Sequence, residues 1–441
     1  MKQSFLLTFF ILLFVQVTGQ TINTGIFGQN ANLTATVGTN TTAGGHLDEY
    51  WDRYGTYSGQ DYIYESKVKY MRYGGIQVEE DCEIDGIVGT SSNLDATIAD
   101  YINKAKAMQE NDIEPMLTLP LKYNTGSGPI FSVNDAADQA ALLVYEVNTT
   151  LAGLGGVYKP VVYWVYSNEP DGGAHGYTGT DAAQKIHDYI VAYYNAVTGI
   201  WDSGWDTEYV GPQFVGPELR DYNNYTHGGG CTRLIEQLLG QYNQNDATTG
   251  AEDDNDITPY ISVFSWHYYP FNDESVYDAF IPEPDRSNTI DILSSGAPRP
   301  GGGMTASLLA NIQQIKGWLP PGIKLGITEA NICYINDVNA SYITDDLVTG
   351  NGANGYIAGQ FWAEMMGICM KEEVSFLNFW SSIEGCSSCT TNPYDTNVGF
   401  LNTNTSTGAL GDKKSTYHHF KMVAEHMKGS YCEGSACLWM P

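Results

Sequence analysis

Two glutamates follow apolar stretches of the sequence, where a charged side chain is unexpected. Glu169 comes directly after the run VVYWVYSN, which is rich in strand-forming residues, and Pro170 then ends the strand because proline has no N–H to donate. Glu329 ends the run IKLGIT in the same way. An unpaired carboxylate beside a buried strand is costly. Either each glutamate simply opens a loop, or the two are titratable groups placed there for acid, base or nucleophilic chemistry.

Other polar and aromatic side chains also stand where apolar runs end. They are Arg72 in RYGG, Asn168 before Glu169, His267 and Tyr269 in SWHYYP, and Trp380 in NFWSS. His267 and Tyr269 are two residues apart and therefore share one face of a strand. Three of these residues also have a purely structural interpretation: Arg72 suits an ion pair, and His267 and Trp380 suit a core.

Runs typical of strands alternate with helical periodicity along most of the chain. The strand-like runs cover residues 24–29, 67–73, 113–119, 161–166, 208–215, 260–267, 323–328 and 374–380. The helical patterns cover residues 93–111, 135–152, 181–201, 231–242, 305–318, 356–371 and 415–427. This alternation predicts an α/β fold, a closed (β/α)8 TIM barrel with chemistry at the carboxyl ends of its strands. An open doubly wound sheet is the alternative, but no glycine-rich phosphate turn follows the first strand.

The amino terminus predicts export from the cell. Residues 1–19 combine an early lysine, an apolar run and small residues, as secretory signal peptides do, although a membrane anchor is the alternative. No later run is apolar for long enough to cross a bilayer. We therefore expect a secreted protein with one catalytic barrel over residues 20–430, followed by a cysteine-containing tail over residues 431–441.

The eight cysteines predict disulfides, because their number is even and the expected compartment is oxidising. The pairs Cys386/Cys389 and Cys432/Cys437 are close enough for local bridges, although full pairing allows about 105 connectivities. Zinc is the alternative at Cys386 and Cys389, but no second ligand pair accompanies them. We expect neither a metal nor another cofactor.

The composition is strongly acidic, with 51 Asp and Glu against 21 Lys and Arg and a formal net charge of −30. Nucleic acid and anionic membranes attract basic surfaces, so neither is an expected partner. The 31 tyrosines and 9 tryptophans suit stacking on uncharged sugar faces instead.

The stretches Asn168-Glu169-Pro170 and Thr328-Glu329 resemble those of the retaining glycoside hydrolases with a (β/α)8 barrel, known as clan A. Members of that clan carry an Asn-Glu pair after strand four and a second Glu after strand seven. The stretch RYGG is similar to one found in endoglucanase, arabinofuranosidase and heparanase-like branches. The resemblance implies that Glu169 is the acid/base and Glu329 the nucleophile of an endo-acting enzyme that cleaves a β-linked polysaccharide by double displacement. The acidic composition and the many aromatic residues predict that this polysaccharide is neutral or weakly charged.

Two neighbouring carboxyl groups must be held in different protonation states. This requirement and the resemblance together suggest roles for the surrounding residues. Arg72 would hold Glu329 ionised and Tyr269 would donate a hydrogen bond to it. Asn168 would contact a sugar hydroxyl, and Trp380 would form the floor of the site. A transglycosylase and a non-catalytic carbohydrate-binding or structural surface protein built on the same barrel are the alternatives. We expect a monomer.

Overall fold

A computed structural model describes the parts of the chain that form the barrel. These are residues 24–31, 65–74, 91–119, 121, 132–171, 177, 181–220, 234–241, 255–269, 308–332, 356–381, 399–400 and 412–427. The predicted signal peptide, the tail over residues 431–441 and seven of the eight cysteines lie outside the described residues.

Eight parallel strands form a closed barrel in sequence order. They are β1 (Gly28–Ala31), β2 (Tyr70–Tyr73), β3 (Glu114–Leu119), β4 (Tyr163–Tyr166), β5 (Gln213–Leu219), β6 (Val263–Tyr268), β7 (Lys324–Ala330) and β8 (Phe376–Phe379). The pairing of β1 with β8 closes the ring and rules out the open doubly wound sheet. The predicted (β/α)8 barrel is confirmed.

Helices connect the strands and pack around the ring. The described α-helices are α1 (Ser91–Gln109), α2 (Val133–Leu154), α3 (Ala182–Ile200), α4 (Leu234–Leu238), α5 (Leu308–Trp318), α6 (Tyr356–Lys371) and α7 (Ser415–His426). Helix α2 begins at a capping box, in which Ser132 and Asp135 satisfy each other's backbone N–H groups. Within the described residues, no helix combines the length and apolar character that a membrane crossing requires.

Two apolar clusters stabilise this architecture. The larger one fills the space between the strands and the helices. The smaller one lies inside the barrel and includes Tyr163, Val215, Val263 and Phe376. Its aromatic rings contact each other edge to face, with 5.1 Å between the centroids of Tyr163 and Phe376. Apolar side chains therefore fill the amino end of the barrel, and polar groups are left to the carboxyl end.

The first strand was predicted at residues 24–29 and begins later than expected. Thr24–Ile26 form a turn of 3-10 helix, and β1 starts at Gly28. A β-carbon on Gly28 would lie 1.9 Å from Oδ1 of Asn378, so the glycine allows the close contact between β1 and β8. The shifted strand carries Asn30 to the carboxyl end of the barrel.

Strand β5 differs most from its prediction, which placed it at residues 208–215. The strand instead runs from Gln213 through Pro217 to Leu219. Its register against β6 shifts between Pro217 and Leu219, an irregularity at which a residue without an N–H can be accommodated. The consequence is that Glu218 belongs to the barrel, with its side chain fully buried.

One of the eight cysteines from which disulfides were predicted, Cys369, is not paired. This residue lies in α6, is buried and carries a free thiol. Burial also raises the pKa of the thiol, which makes it unreactive. Disulfides among the other cysteines remain a prediction.

Candidate active site

The two glutamates singled out in the sequence face each other at the carboxyl end of the barrel. Glu169 follows β4, and Glu329 is the second-last residue of β7. A carboxylate oxygen of Glu169 lies within 4.8 Å of a carboxylate oxygen of Glu329. Their exposures differ, since 24% of the Glu169 side chain but only 8% of the Glu329 side chain is accessible. Glu169 is therefore the carboxyl group more open to an incoming molecule.

Arg72 projects from β2 into the centre of this arrangement and is completely buried. One terminal nitrogen donates to Oε2 of Glu329 at 3.2 Å and to Oδ1 of Asn30 at 2.9 Å. The other lies 2.9 Å from Oε2 of Glu218 and donates to Oδ1 of Asn168 at 2.8 Å. One guanidinium thus orients groups from β1, β4, β5 and β7, which its fork of donors is suited to do.

His267 of β6 contacts three carboxyl groups. Its Nδ1 lies 2.9 Å from Oε1 of Glu169 and 3.6 Å from Oε2 of Glu329. Its Nε2 lies 3.2 Å from Oε2 of Glu218. Since an ionised carboxylate only accepts hydrogen bonds, both ring nitrogens must carry protons whenever Glu169 and Glu218 are ionised.

The remaining predicted residues lie around the two glutamates. The Tyr269 hydroxyl donates to Oε1 of Glu329 at 2.5 Å, the contact that the sequence predicted. Asn168 is buried and accepts from Arg72, so its carbonyl oxygen is oriented by a buried charge. Trp380 follows β8, is partly buried, and donates its backbone N–H to the carbonyl of Ala330 at 2.9 Å. The structure therefore brings the predicted residues to one end of the barrel.

Glu218 is the site residue that the sequence reasoning missed. Its Oε1 accepts hydrogen bonds from Ser265 at 2.5 Å and Thr328 at 2.6 Å, while its Oε2 faces Arg72 and His267. The available signal was the stretch Gly-Pro-Glu-Leu, in which an acidic residue stands between apolar neighbours. The predicted strand ended at Val215, so Glu218 was placed outside the barrel.

Backbone conformations at the site are unusual. Ser167, Glu169 and Glu218 adopt positive φ angles of 57°, 46° and 60°, a region that residues with a side chain seldom occupy. Such conformations are held by surrounding contacts and concentrate at functional sites. The amide of Glu169 donates to the carbonyl of Glu218 at 3.1 Å, so the ends of β4 and β5 support each other.

The charges around the site determine which of its groups carry protons. Burial opposes a charge on His267, but the Glu329 charge and the hydrogen bonds to Glu169 and Glu218 outweigh burial and raise the pKa of the ring to about 10. Burial acts to raise the pKa of Glu169, yet the His267 hydrogen bond and charge outweigh it, and the pKa of this carboxyl is lowered. Without substrate, the proton of the Glu169–His267 pair therefore lies on the ring.

The two other buried carboxyl groups behave differently. Burial is the largest influence on Glu218 and opposes its ionisation, but the charge of Arg72, the hydrogen bond and charge of His267 and the Ser265 hydrogen bond together outweigh burial and lower the pKa. For Glu329, burial and the Glu169 charge prevail over the opposing charges of His267 and Arg72, so its pKa is raised. Arg72 favours the ionised form of Glu329, as the sequence predicted, but does not dominate its pKa.

Glu169, His267 and Glu329 also have the composition of a metal site, with one possible ligand atom from each lying within 4.8 Å of the others. Both ring nitrogens of His267 already face carboxylate oxygens. Arg72 brings a positive charge to Glu329, which opposes the binding of a further cation. We therefore interpret the cluster as one that holds protons, and the expectation that no metal is needed stays a prediction.

Known structures share this barrel. A glucosidase from Croceicoccus marinus is 12% identical with a TM-score of 0.54, and the match covers 93% of this chain and 70% of the other. A family 51 alpha-L-arabinofuranosidase from Bifidobacterium longum is 15% identical with a TM-score of 0.53, over 93% and 74%. A Paenibacillus polymyxa xyloglucanase from glycoside hydrolase family 44 is 16% identical with a TM-score of 0.50, over 84% and 75%.

These neighbours are glycoside hydrolases, the class that the motifs resemble, and at such identities they establish a shared fold. No protein-family model matches the chain. No curated protein sequence matches it either.

Proposed function

We propose that the protein is a secreted, retaining glycosidase that cleaves a β-linked polysaccharide by double displacement. The observation that carries the proposal is the approach of the Glu169 and Glu329 carboxylates to within 4.8 Å. Retaining enzymes hold their two carboxyl groups about 5 Å apart, whereas inverting enzymes leave roughly 6.5–9.5 Å for a water molecule. The fold shared with three glycoside hydrolases supports the same conclusion.

Glu329 is the nucleophile in this proposal. Its carboxylate is buried and is oriented by Arg72 through Oε2 and by Tyr269 through Oε1. A nucleophile fixed by two donors attacks the anomeric carbon with little loss of orientation. Because burial raises its pKa, Glu329 must lose its proton before it can attack, and activity should fall as the pH drops through that pKa.

Glu169 is the acid/base, and the more exposed of the two carboxyl groups. The glycosidic bond breaks as Glu329 bonds to the anomeric carbon and a proton passes from the Glu169–His267 pair to the leaving oxygen. In the second step the pair takes a proton from water, and the hydroxyl displaces Glu329. The first step needs this proton on the pair, whereas in the second step the pair accepts one, so loss of the proton before the first step sets the alkaline limit of kcat/KM.

The supporting residues take the roles that the resemblance implies. Asn168, held through its carbonyl by Arg72, contacts a hydroxyl of the sugar bound beside Glu329. Trp380 follows β8 at the same end of the barrel, and its partly buried ring provides a surface for a sugar face. Secretion after removal of residues 1–19, endo action and a monomeric state complete the proposal.

A transglycosylase would use the same two carboxyl groups and pass the sugar to a hydroxyl other than water. A surface protein that only binds carbohydrate would not need an acid/base held by His267 next to a nucleophile held by Arg72. The buried charges around the two glutamates therefore favour an enzyme. Chromatography of the products distinguishes hydrolysis, which yields shorter sugars alone, from transfer, which also yields longer ones.

We predict that the substrate is uncharged. The net charge of −30 opposes the approach of a polyanion. Of the two arginines that act on Glu169 in the described part of the chain, Arg72 and Arg220, the first is buried and already paired with Glu218 and Glu329. Reducing-end assays on β-glucan, xyloglucan, arabinoxylan and galactan should show activity on at least one neutral polymer. At matched ionic strength, a sulfated galactan should be cleaved more slowly than its desulfated form. Faster cleavage of the sulfated polymer would contradict the prediction.

A further inference from the structure

A buried carboxylate on β5 stands next to both cationic side chains of the candidate site. Glu218 faces Arg72 at 2.9 Å and the Nε2 of His267 at 3.2 Å, and neither the glutamate nor the two cations reach solvent. The two hydroxyls on its other oxygen, from Ser265 and Thr328, complete the set of hydrogen bonds. The formation of a strand does not require a buried carboxylate with four polar partners, so the position of Glu218 needs another explanation.

We propose that Glu218 is a positioning residue, which fixes a proton on Nε2 of His267 and thereby directs the second ring proton, on Nδ1, to Glu169. The two ring nitrogens of His267 face different carboxylates, with Nδ1 next to Glu169 and Nε2 next to Glu218. A carboxylate at Nε2 favours the tautomer in which this nitrogen is protonated, and it stabilises the positive charge that appears when Nδ1 is also protonated. The structure thus forms a chain of three side chains, Glu218, His267 and Glu169.

The charges that surround His267 decide how strongly it holds its second proton. Glu169 after β4, Glu218 on β5 and Glu329 on β7 each favour the protonated ring, while burial opposes it. Arg72 on β2 contacts two of the same carboxylates, and its positive charge disfavours a second cation nearby. Tyr269, which directly follows β6, donates its hydrogen bond to Glu329 and not to the ring. Glu218 differs from the other two carboxylates because its side chain is fully buried and takes no direct part in the proposed bond-making steps.

The effect of Glu218 on the pH dependence of activity rests on the proposed function. If the Glu169–His267 pair supplies the proton for the leaving oxygen, then Glu218 determines the pH at which that proton is lost. Removing the negative charge of Glu218 weakens the hold of the pair on its proton, and the alkaline limit of activity moves to lower pH. A purely structural role for Glu218 would lower stability or kcat without moving that limit.

Glu218→Gln is a suitable test because the amide keeps the shape of the side chain. Its oxygen can accept from Arg72 and His267, while its NH2 group donates to the hydroxyls of Ser265 and Thr328, which can also accept. The substitution therefore removes a charge and preserves the hydrogen-bond count. Glu114→Gln is the matched control, because Glu114 is a partly buried carboxyl at the opposite, amino end of β3.

The first measurement is nitrogen NMR of the histidine rings during a pH titration, with His267 assigned through a His267→Asn variant. In the wild-type protein, Nδ1 should lose its proton first and Nε2 should stay protonated. Loss of the Nε2 proton first would overturn the proposal, and this result needs no variant. In Glu218→Gln the titration midpoint of His267 should fall by about one pH unit or more. An unchanged midpoint in a folded variant would contradict the proposal.

The second measurement is the pH profile of kcat/KM on whichever polysaccharide is cleaved. In Glu218→Gln the alkaline limb should move down by about one unit, which is roughly a tenfold loss of rate at a fixed pH on that limb. Glu114→Gln should leave the limb in place. A shifted NMR midpoint in a protein that cleaves no polysaccharide would contradict the proposed function and still support the role of Glu218. A uniform loss of rate with an unmoved limb would contradict that role.

Discussion

Glu329→Gln should abolish turnover of every substrate, by a factor on the order of 10⁴ or more. The amide has nearly the shape of the carboxylate and can keep its contacts with Arg72 and Tyr269, so the fold should be unaffected. What it loses is the ability to bond to the anomeric carbon, and no substrate avoids that step. Initial rates on a polysaccharide and on an aryl glycoside measure the effect.

Glu169→Ala is the matched comparison, and its defect should depend on the substrate. A general acid contributes about 10²–10⁴-fold to a slow proton transfer, but an aryl leaving group needs little protonation. The variant should therefore lose most activity on polysaccharide and retain more on an aryl glycoside. Azide should then accelerate it, because an anionic nucleophile needs no base and fits the space that the side chain vacated. Equal residual activity of the two variants on the aryl glycoside would contradict the assigned roles.

Arg72→Met should have the largest effect on stability of any single substitution at the site. Methionine fills part of the volume but removes the guanidinium that contacts both Glu218 and Glu329. Leaving a buried carboxylate without its partner typically costs about 3–5 kcal/mol. We expect a clear loss of denaturant stability, together with loss of activity because Glu329 and Asn168 are no longer oriented.

Lys69→Met provides the control, three residues earlier in the chain. Lys69 pairs with Asp112, but the two side chains are 41% and 89% exposed. Exposed ion pairs contribute about 0–1 kcal/mol, so this variant should unfold at nearly the wild-type denaturant concentration. If both variants lost the same small amount of stability, the buried network around Arg72 would not be holding the site together.

The sequence was sufficient for the topology and for the two opposing glutamates because both follow from a simple rule. Alternating strands and helices favour a closed parallel barrel, and polar residues at the ends of its strands must meet at one rim. Glu169 and Glu329 are 160 positions apart, yet the rule alone brings them together. The positions of Arg72 and Tyr269 followed in the same way.

Glu218 could not be recognised because local sequence rules oppose it. Pro217 normally ends a strand, and only the register shift against β6 allows β5 to continue past it. The double contact of His267 was equally hidden, since its carboxylate partners come from β5 and from the loop after β4. Side-chain networks between strands depend on bulges and on the exact tilt of the barrel, which no periodicity in the sequence reveals.

The stereochemistry of the first-formed product tests the central claim most directly. Proton NMR of the anomeric signal, recorded in the first minutes of hydrolysis before mutarotation, distinguishes the two possible products. The proximity of Glu169 and Glu329 predicts a sugar with the same anomeric configuration as the bond that was cleaved, because two displacements at one carbon restore it. A product with the opposite configuration would mean that water attacks directly, and would contradict the assignment of Glu329 as nucleophile.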